Sequence, residues 1–313
     1  MPGFITHLML REEIASNYHN SKWTFLVNKH PAVYNLGLEG PDIFFYHVPA
    51  YLVHDRNIGN LMHDENVNLM FDSLFAVRDL FEEPFQDICD AYIMGFMGHY
   101  TLDCTCHPYV YYKSTHFENL KVSHKYDFGR HTSLETDIDQ LMLKHFYGLK
   151  PSQYDYAKRI NISKEEGQVL SLLLSQAIAL TFPNASVSSK MCYKAPKSMI
   201  FLNKLMRDPS GGKKNLVFSI EKKLLGYPFI SAMIPSDTLF AYEDSCNESH
   251  DIWYNPWDKE TPHNDSIFDL LHKAGEIYKK RLDMYITGIN SYDEKKDLLD
   301  NLGNNSYCNG LPI

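Results

Sequence analysis

His99, Asp103 and His107 follow one another at intervals of four residues, and His131 and Glu135 repeat that interval further along the chain. On a helix, residues four apart are stacked on one face with Cβ atoms about 5–6 Å apart. His99, Asp103 and His107 would then span about 80° of the helix circumference. Imidazole and carboxylate groups so placed can converge on divalent metal ions at ligand distances of about 2 Å. Asp103, in the middle, can bridge two ions while each flanking imidazole takes one. A lone pair at this spacing carries little weight, since helices bear such pairs as ordinary surface hydrogen bonds. The joint arrangement of five residues is what points to metal.

Other residues are candidates by association. Gly40-Pro41-Asp42 puts a carboxylate in a tight turn, where an Asp is also a common helix cap. His63 follows Gly59-Asn60-Leu61-Met62 and, taken alone, reads equally well as a partly buried helix histidine. His7 is a single histidine near the start. His30, His47 and His54 lie close in sequence to these groups and are candidates for outer support or substrate contact. His116 and His124 fall between the two ligand helices, where they would rim a cleft. Asp139, one further step beyond Glu135, can orient a ligand. His145, His250, His263 and His272 read as surface residues. Phe44, Phe45 and Tyr46 are either core or aromatic faces on which a cation rests.

The elements that must carry these groups are helical. A mixed apolar pattern from Phe85 to about His107 starts just after Pro84 and is expected to end or kink at Pro108, leaving His107 in the last turn. A second helix is expected over His131–Tyr147, after Gly129. Ser163-Lys164-Glu165-Glu166 is a capping box leading into 169–180. Phe268, Leu271, Gly275, Tyr278, Leu282 and Tyr285 form one helical stripe that reads as core. Loops are expected over 37–49, 208–214 and 245–262, and alternation typical of strands is scarce. Gly211-Gly212-Lys213 lacks the spacing and preceding strand of a phosphate loop. The fold class expected is all-α: one multi-helix domain over 1–313, with the ligands in 1–150 and 151–313 completing the core.

Bulk properties agree. The 313 residues are 44% apolar and 22% charged, enough for a sizeable core and unlike a disordered chain. Twelve of the fifteen histidines precede residue 150, a bias that core packing does not explain. The formal charge of −9 disfavours general binding of nucleic acid or of an anionic membrane, whose phosphates are met by Lys and Arg. No charged-then-apolar leader is seen at the start, no stretch is long enough to span a bilayer, and the six Cys show no CxxC pair. A reduced, cytoplasmic setting is expected.

Together these residues resemble the zinc-dependent phospholipase C family, whose fold is shared with the zinc-dependent single-strand nucleases. The resemblance runs from Pro2-Gly3-Phe4-Ile5-Thr6-His7 through the Gly40-Pro41-Asp42 turn, His63 and the two spaced elements, to Trp253-Tyr254-Asn255-Pro256-Trp257 before the last long helix. It implies that Asp42, His63, His99 and Asp103 hold one Zn²⁺ and that His107, His131 and Glu135 hold a second. His7 and the shared Asp103 would hold a third. The secreted enzymes complete that third site with an N-terminal Trp. This chain has none there, and the amine of Pro2 is the group that would stand in, so two or three ions are implied. The activity implied is hydrolysis of a phosphodiester, most naturally a phospholipid, by metal-activated water, with Asp42 as ligand and base. Two other readings remain open at this stage: a nuclease-like hydrolase, and a metal-binding protein without turnover.

Overall fold

The structure is a computed structural model that describes residues 3–115 and 127–313. His116, His124 and Pro2 lie outside the described residues. Of the described residues, 67% are helical. Among the described residues the only sheet is a two-stranded hairpin, β1 (Trp253–Asn255) against β2 (Asp258–His263).

The chain starts with α1 (Phe4–Ala15), α2 (Ser21–Lys29) and α3 (Pro31–Leu38). A 3₁₀ turn at Gly40–Phe44 and another at Val48–Tyr51 lead to α4 (Ile58–Asp64) and α5 (Val67–Arg78). Then come α6 (Phe85–Thr115) and α7 (Asp127–Tyr147). The second half holds α8 (Tyr156–Arg159), α9 (Lys164–Thr181), α10 (Ser189–Met206) and α11 (Gly212–Leu224). After the hairpin, α12 (Ile267–Gly288) and α13 (Tyr292–Leu302) close the chain.

Helix α6 lies at the centre. Helices α3, α7, α9 and α12 all pack on it, and its residues from Ile88 to Asp103 are buried without a break. A helix apolar on every side belongs in a core, and the interruptions by Asp90, His99 and Asp103 then require partners. For Asp90 the partner is Arg78 of α5, whose Nε and Nη2 donate to its carboxylate at 2.6 and 2.9 Å, joined by the Tyr285 hydroxyl at 2.7 Å. The stripe of α12 is core, with Leu271, Tyr278, Leu282 and Tyr285 all buried.

Three expectations about elements need correction. Helix α6 does not stop at Pro108 but continues to Thr115. Proline removes the helical donor for the carbonyl of Cys104. Here that carbonyl is covered by the backbone of Gly310, where a Cβ would lie 2.4 Å from the oxygen at a φ of +69°. Helix α7 begins at Asp127, so Gly129 sits in its first turn. Segments expected as loops are also partly ordered. Pro41 sits in the first turn of the 3₁₀ segment, where its fixed φ suits helical geometry, and the hairpin occupies 253–263, overlapping the end of the loop expected over 245–262. Strand β2 is exposed along most of its length and shows no alternation to be read. The capping box forms as expected: Ser163 Oγ accepts from the Glu166 N–H at 3.2 Å, and Glu166 accepts from Ser163 N–H at 2.8 Å.

Candidate metal centre

Five segments bring carboxylates and imidazoles to one buried place. Helix α6 supplies His99, Asp103 and His107. Helix α7 supplies His131 and Glu135. His7 comes from α1, Asp42 from the 3₁₀ turn and His63 from α4. All are buried except His131, whose side chain is 16% exposed.

Three groups emerge in which the ligand atoms lie within 4.8 Å of one another: His7, His99 and Asp103; Asp42, His63 and His99; and His107, His131 and Glu135. Asp103 touches the first two. Its Oδ1 is 3.3 Å from His7 Nε2, and its Oδ2 is 3.2 Å from His99 Nε2 and 3.5 Å from His63 Nε2. His63 Nε2 also lies 3.2 Å from Asp42 Oδ1. In the third group His131 Nε2 is 2.7 Å and His107 Nε2 3.8 Å from Glu135 Oε1. The rings of His7 and His99 stack at 4.2 Å.

Backbone carbonyls hold three of these rings in one tautomer. His63 Nδ1 donates to Gly59 O at 2.7 Å, His99 Nδ1 to Leu38 O at 3.0 Å, and His107 Nδ1 to Tyr307 O at 2.6 Å. Each bond leaves the Nε2 lone pair facing the cluster, the arrangement typical of metal-bound histidine. None of these three Nε2 atoms makes a hydrogen bond, nor does any carboxylate oxygen of Asp42 or Asp103. Buried polar groups without hydrogen bonds are costly. The mixed imidazole–carboxylate set suits zinc, which would supply the missing partners. The residues therefore fit the metal that their spacing suggests.

The electrostatics agree. Burial, then the neighbouring His99, pull the His7 pKa down to about 4. Burial holds His131 well below the ordinary imidazole range and pushes Glu135 well above the ordinary carboxylate range. Burial also opposes ionisation of Asp103, but His99, His63 and His7 overcome it and keep the carboxyl well below its usual value.

Outer contacts set the inner ones. Asn57 caps α4 by accepting from Gly59 N–H at 2.7 Å, and its Nδ2 donates to Phe44 O at 3.1 Å, which ties His63 to the turn of Asp42. Gly40 in that turn has φ +50°, and a Cβ there would lie 2.6 Å from the His99 ring. Helix α1 has no side-chain cap of its own. Asp139 of α7 supplies one, accepting from Ile5 N–H at 3.1 Å, Thr6 N–H at 2.8 Å and the Thr6 hydroxyl at 2.7 Å. His7 is thus placed by a carboxylate from another helix.

The remaining candidates divide. Phe44 is core, Phe45 stacks on His63 at 5.5 Å, and Tyr46 packs on Phe4. His30 pairs with Glu166 at 2.9 Å and His47 with Ser198 at 2.9 Å, while His54 accepts from Arg56 N–H, so none of the three is in the cluster. His145, His250 and His272 are exposed, and His263 stacks on Trp253. Two contributors carried no spacing signal that would have singled them out. Tyr307 packs its ring on His63 at 4.7 Å and offers its carbonyl to His107. Glu39 is buried without a hydrogen bond on either oxygen, and burial followed by the charge of Asp42 raises its pKa well above the usual range. A carboxylate one turn before Asp42 was the only hint of it.

A family model described as zinc-dependent phospholipase C matches residues 6–182, a span that contains all eight candidate ligands. No curated protein and no solved structure matches the chain.

Proposed function

The chain belongs to the zinc-dependent phospholipase C family, and from that premise we propose that it is a zinc-dependent phosphodiester hydrolase acting on a phospholipid. The observation that carries the proposal is that the buried carboxylate oxygens of Asp42 and Asp103 and the Nε2 atoms of the carbonyl-oriented His63, His99 and His107 face one another without hydrogen bonds.

Asp42, His63 and His99 would hold one ion, His107, His131 and Glu135 a second, and His7 with Asp103 a third. Asp103 is shared between the first and third. Zinc bound there would supply a lowered pKa for water, towards neutrality, and neutralisation of phosphoryl oxygens. The chain's own part is positional. Asp42 would orient the attacking water and accept its proton at a carboxylate oxygen as the ester P–O bond breaks, and the leaving alkoxide would take a proton from a second water. The carbonyls of Gly59, Leu38 and Tyr307 keep each Nδ1 protonated, so that Nε2 stays a lone-pair donor. Phe45 and Tyr307 cover the ring of His63 and exclude bulk water from it.

The test is zinc content by elemental analysis, joined to turnover of a phosphocholine ester, bis-p-nitrophenyl phosphate and single-stranded DNA. Bound zinc with hydrolysis of the lipid ester is expected. Turnover of DNA alone would make the protein a nuclease, and zinc without turnover would make it a metal-binding protein.

A further inference from the structure

Helix α11 is arranged inside out. Leu216, Ile220 and Leu224 recur at four-residue spacing on one face and are 64%, 50% and 78% exposed. The helix buries an acid instead, Glu221. A helix packed on a globular core ordinarily turns its aliphatic stripe inward. The Glu221 carboxylate accepts from Ile230 N–H at 2.6 Å, Ser231 N–H at 3.2 Å and the Ser231 hydroxyl at 2.5 Å. This clamp folds the following turn back against the helix and leaves Phe229, which packs on Phe128 at 4.9 Å, and Ile230 about half exposed.

The charge around the stripe has one sign. Lys222 and Lys223 are exposed on α11, Lys213 donates its ammonium to the carbonyls of Leu205 and Arg207, and Glu221, the helix's only acid, is turned inward. This basic face belongs to a chain of formal charge −9. Lysines can lay their stems along an aliphatic surface while the ammonium groups reach outward to anionic headgroups.

We propose that α11 and the turn after it form a docking face for an anionic lipid surface. Charge complementarity selects this occupant, because an otherwise acidic protein would be repelled from such a surface except through this face. The stripe has no Trp, Tyr or Arg, the residues that concentrate in the energetic centres of protein–protein contacts. The helix lies on the surface and does not cross, since no described helix is long and apolar enough to do so. The face is also tied to the candidate centre. Thr136, next to Glu135, donates to Ala232 O at 2.8 Å, and Met233 lines with Glu135 a cavity of about 50 Å³. That the docked surface also supplies substrate rests on the function proposed above.

The experiment is co-sedimentation of the full-length, zinc-loaded protein with phosphatidylcholine vesicles containing one third phosphatidylglycerol. The unaltered protein should sediment with them. The triple variant Leu216→Ser, Ile220→Ser, Leu224→Ser should lose at least tenfold in vesicle affinity. The pair Lys222→Gln, Lys223→Gln should lose the preference for the anionic lipid. Both should keep the unaltered melting temperature and the unaltered rate on soluble bis-p-nitrophenyl phosphate. Vesicle binding by the triple variant equal to that of the unaltered protein overturns the proposal. So does a triple variant whose only change is a lower mass in sedimentation equilibrium, which would mark the stripe as a contact with a second copy. If vesicle binding follows the stripe but no variant hydrolyses any phosphodiester, the docking face stands and the proposed activity falls.

Discussion

His107 on the central helix donates its Nδ1–H to the backbone carbonyl of Tyr307, 200 residues further on, at 2.6 Å. The acceptor lies outside the span that matches the family, 6–182. The C-terminal segment therefore reaches into the ligand set, and its Tyr307 ring also packs on His63 and His99.

Removing residues 303–313 should accordingly weaken zinc binding. Loss of an outer hydrogen bond to a ligand imidazole typically lowers metal affinity about 10–100-fold. Tyr307→Phe keeps the ring and the carbonyl and should bind zinc as the unaltered chain does. Competition against a chromophoric chelator measures both. Equal affinity in the truncated chain would mean that the His107 tautomer is set by something else.

Gly40→Ala should damage the centre more than its size suggests. The residue has φ +50°, and the new methyl would meet the His99 ring at 2.6 Å. Forced contacts of this kind cost about 1–3 kcal/mol, with the left-handed backbone adding to it. Thermal unfolding with and without zinc would show a lower melting temperature in both states and a smaller gap between them. An undiminished gap would show that His99 can yield without loss of metal.

Asp139 makes stability depend on pH. Burial raises its pKa from 3.8 to about 7, against the pull of its bonds from Thr6 and Ile5. A carboxyl whose folded pKa is raised contributes fully below its unfolded pKa, and that contribution is lost as pH rises through the folded one. Asp139→Asn does not titrate, and it turns an amide N–H₂ towards one of the donors at the start of α1. In metal-free protein the variant should be less stable, and its deficit should shrink from pH 3.8 to about 7. Melting temperatures across that window measure this, and a constant deficit would contradict the raised pKa.

Much of the site could be read from residue spacing because helical periodicity is local. The four-residue steps of His99, Asp103, His107, His131 and Glu135 are enough to stack these groups, whatever the rest of the chain does. The all-α class followed from the same kind of signal. What escaped is tertiary. The role of Tyr307 rests on a backbone carbonyl, which every residue owns, so no side-chain type could announce it. Asp139 was marked as a ligand-orienting group from its place on α7. That it does so by capping α1, over a separation of more than 130 residues, depends on packing. Pro108 is a strong helix-breaking signal, yet α6 runs through it to Thr115, with Gly310 packed against the Cys104 carbonyl that the proline leaves free.

Chelation should loosen the whole molecule. The ligands come from five segments, so ions that bind them oppose unfolding by mass action, about 4 kcal/mol for a free metal concentration a thousandfold above Kd. Removal of zinc by a strong chelator should lower the melting temperature clearly, and added zinc should restore it. An unchanged melting curve with metal loss confirmed would show that the site carries no structural load.

The most direct test of a shared carboxylate is the zinc stoichiometry of Asp103→Asn, measured beside its hydrolysis rate and compared with Asp42→Asn. Asp103 lies within 3.5 Å of His7, His63 and His99, whereas Asp42 lies that close only to His63 among the histidines. Asp42→Asn should keep most of its zinc and lose most phosphodiester hydrolysis; Asp103→Asn should lose both. Full zinc and near-normal hydrolysis in Asp103→Asn would contradict the bridging role and the multinuclear centre built on it.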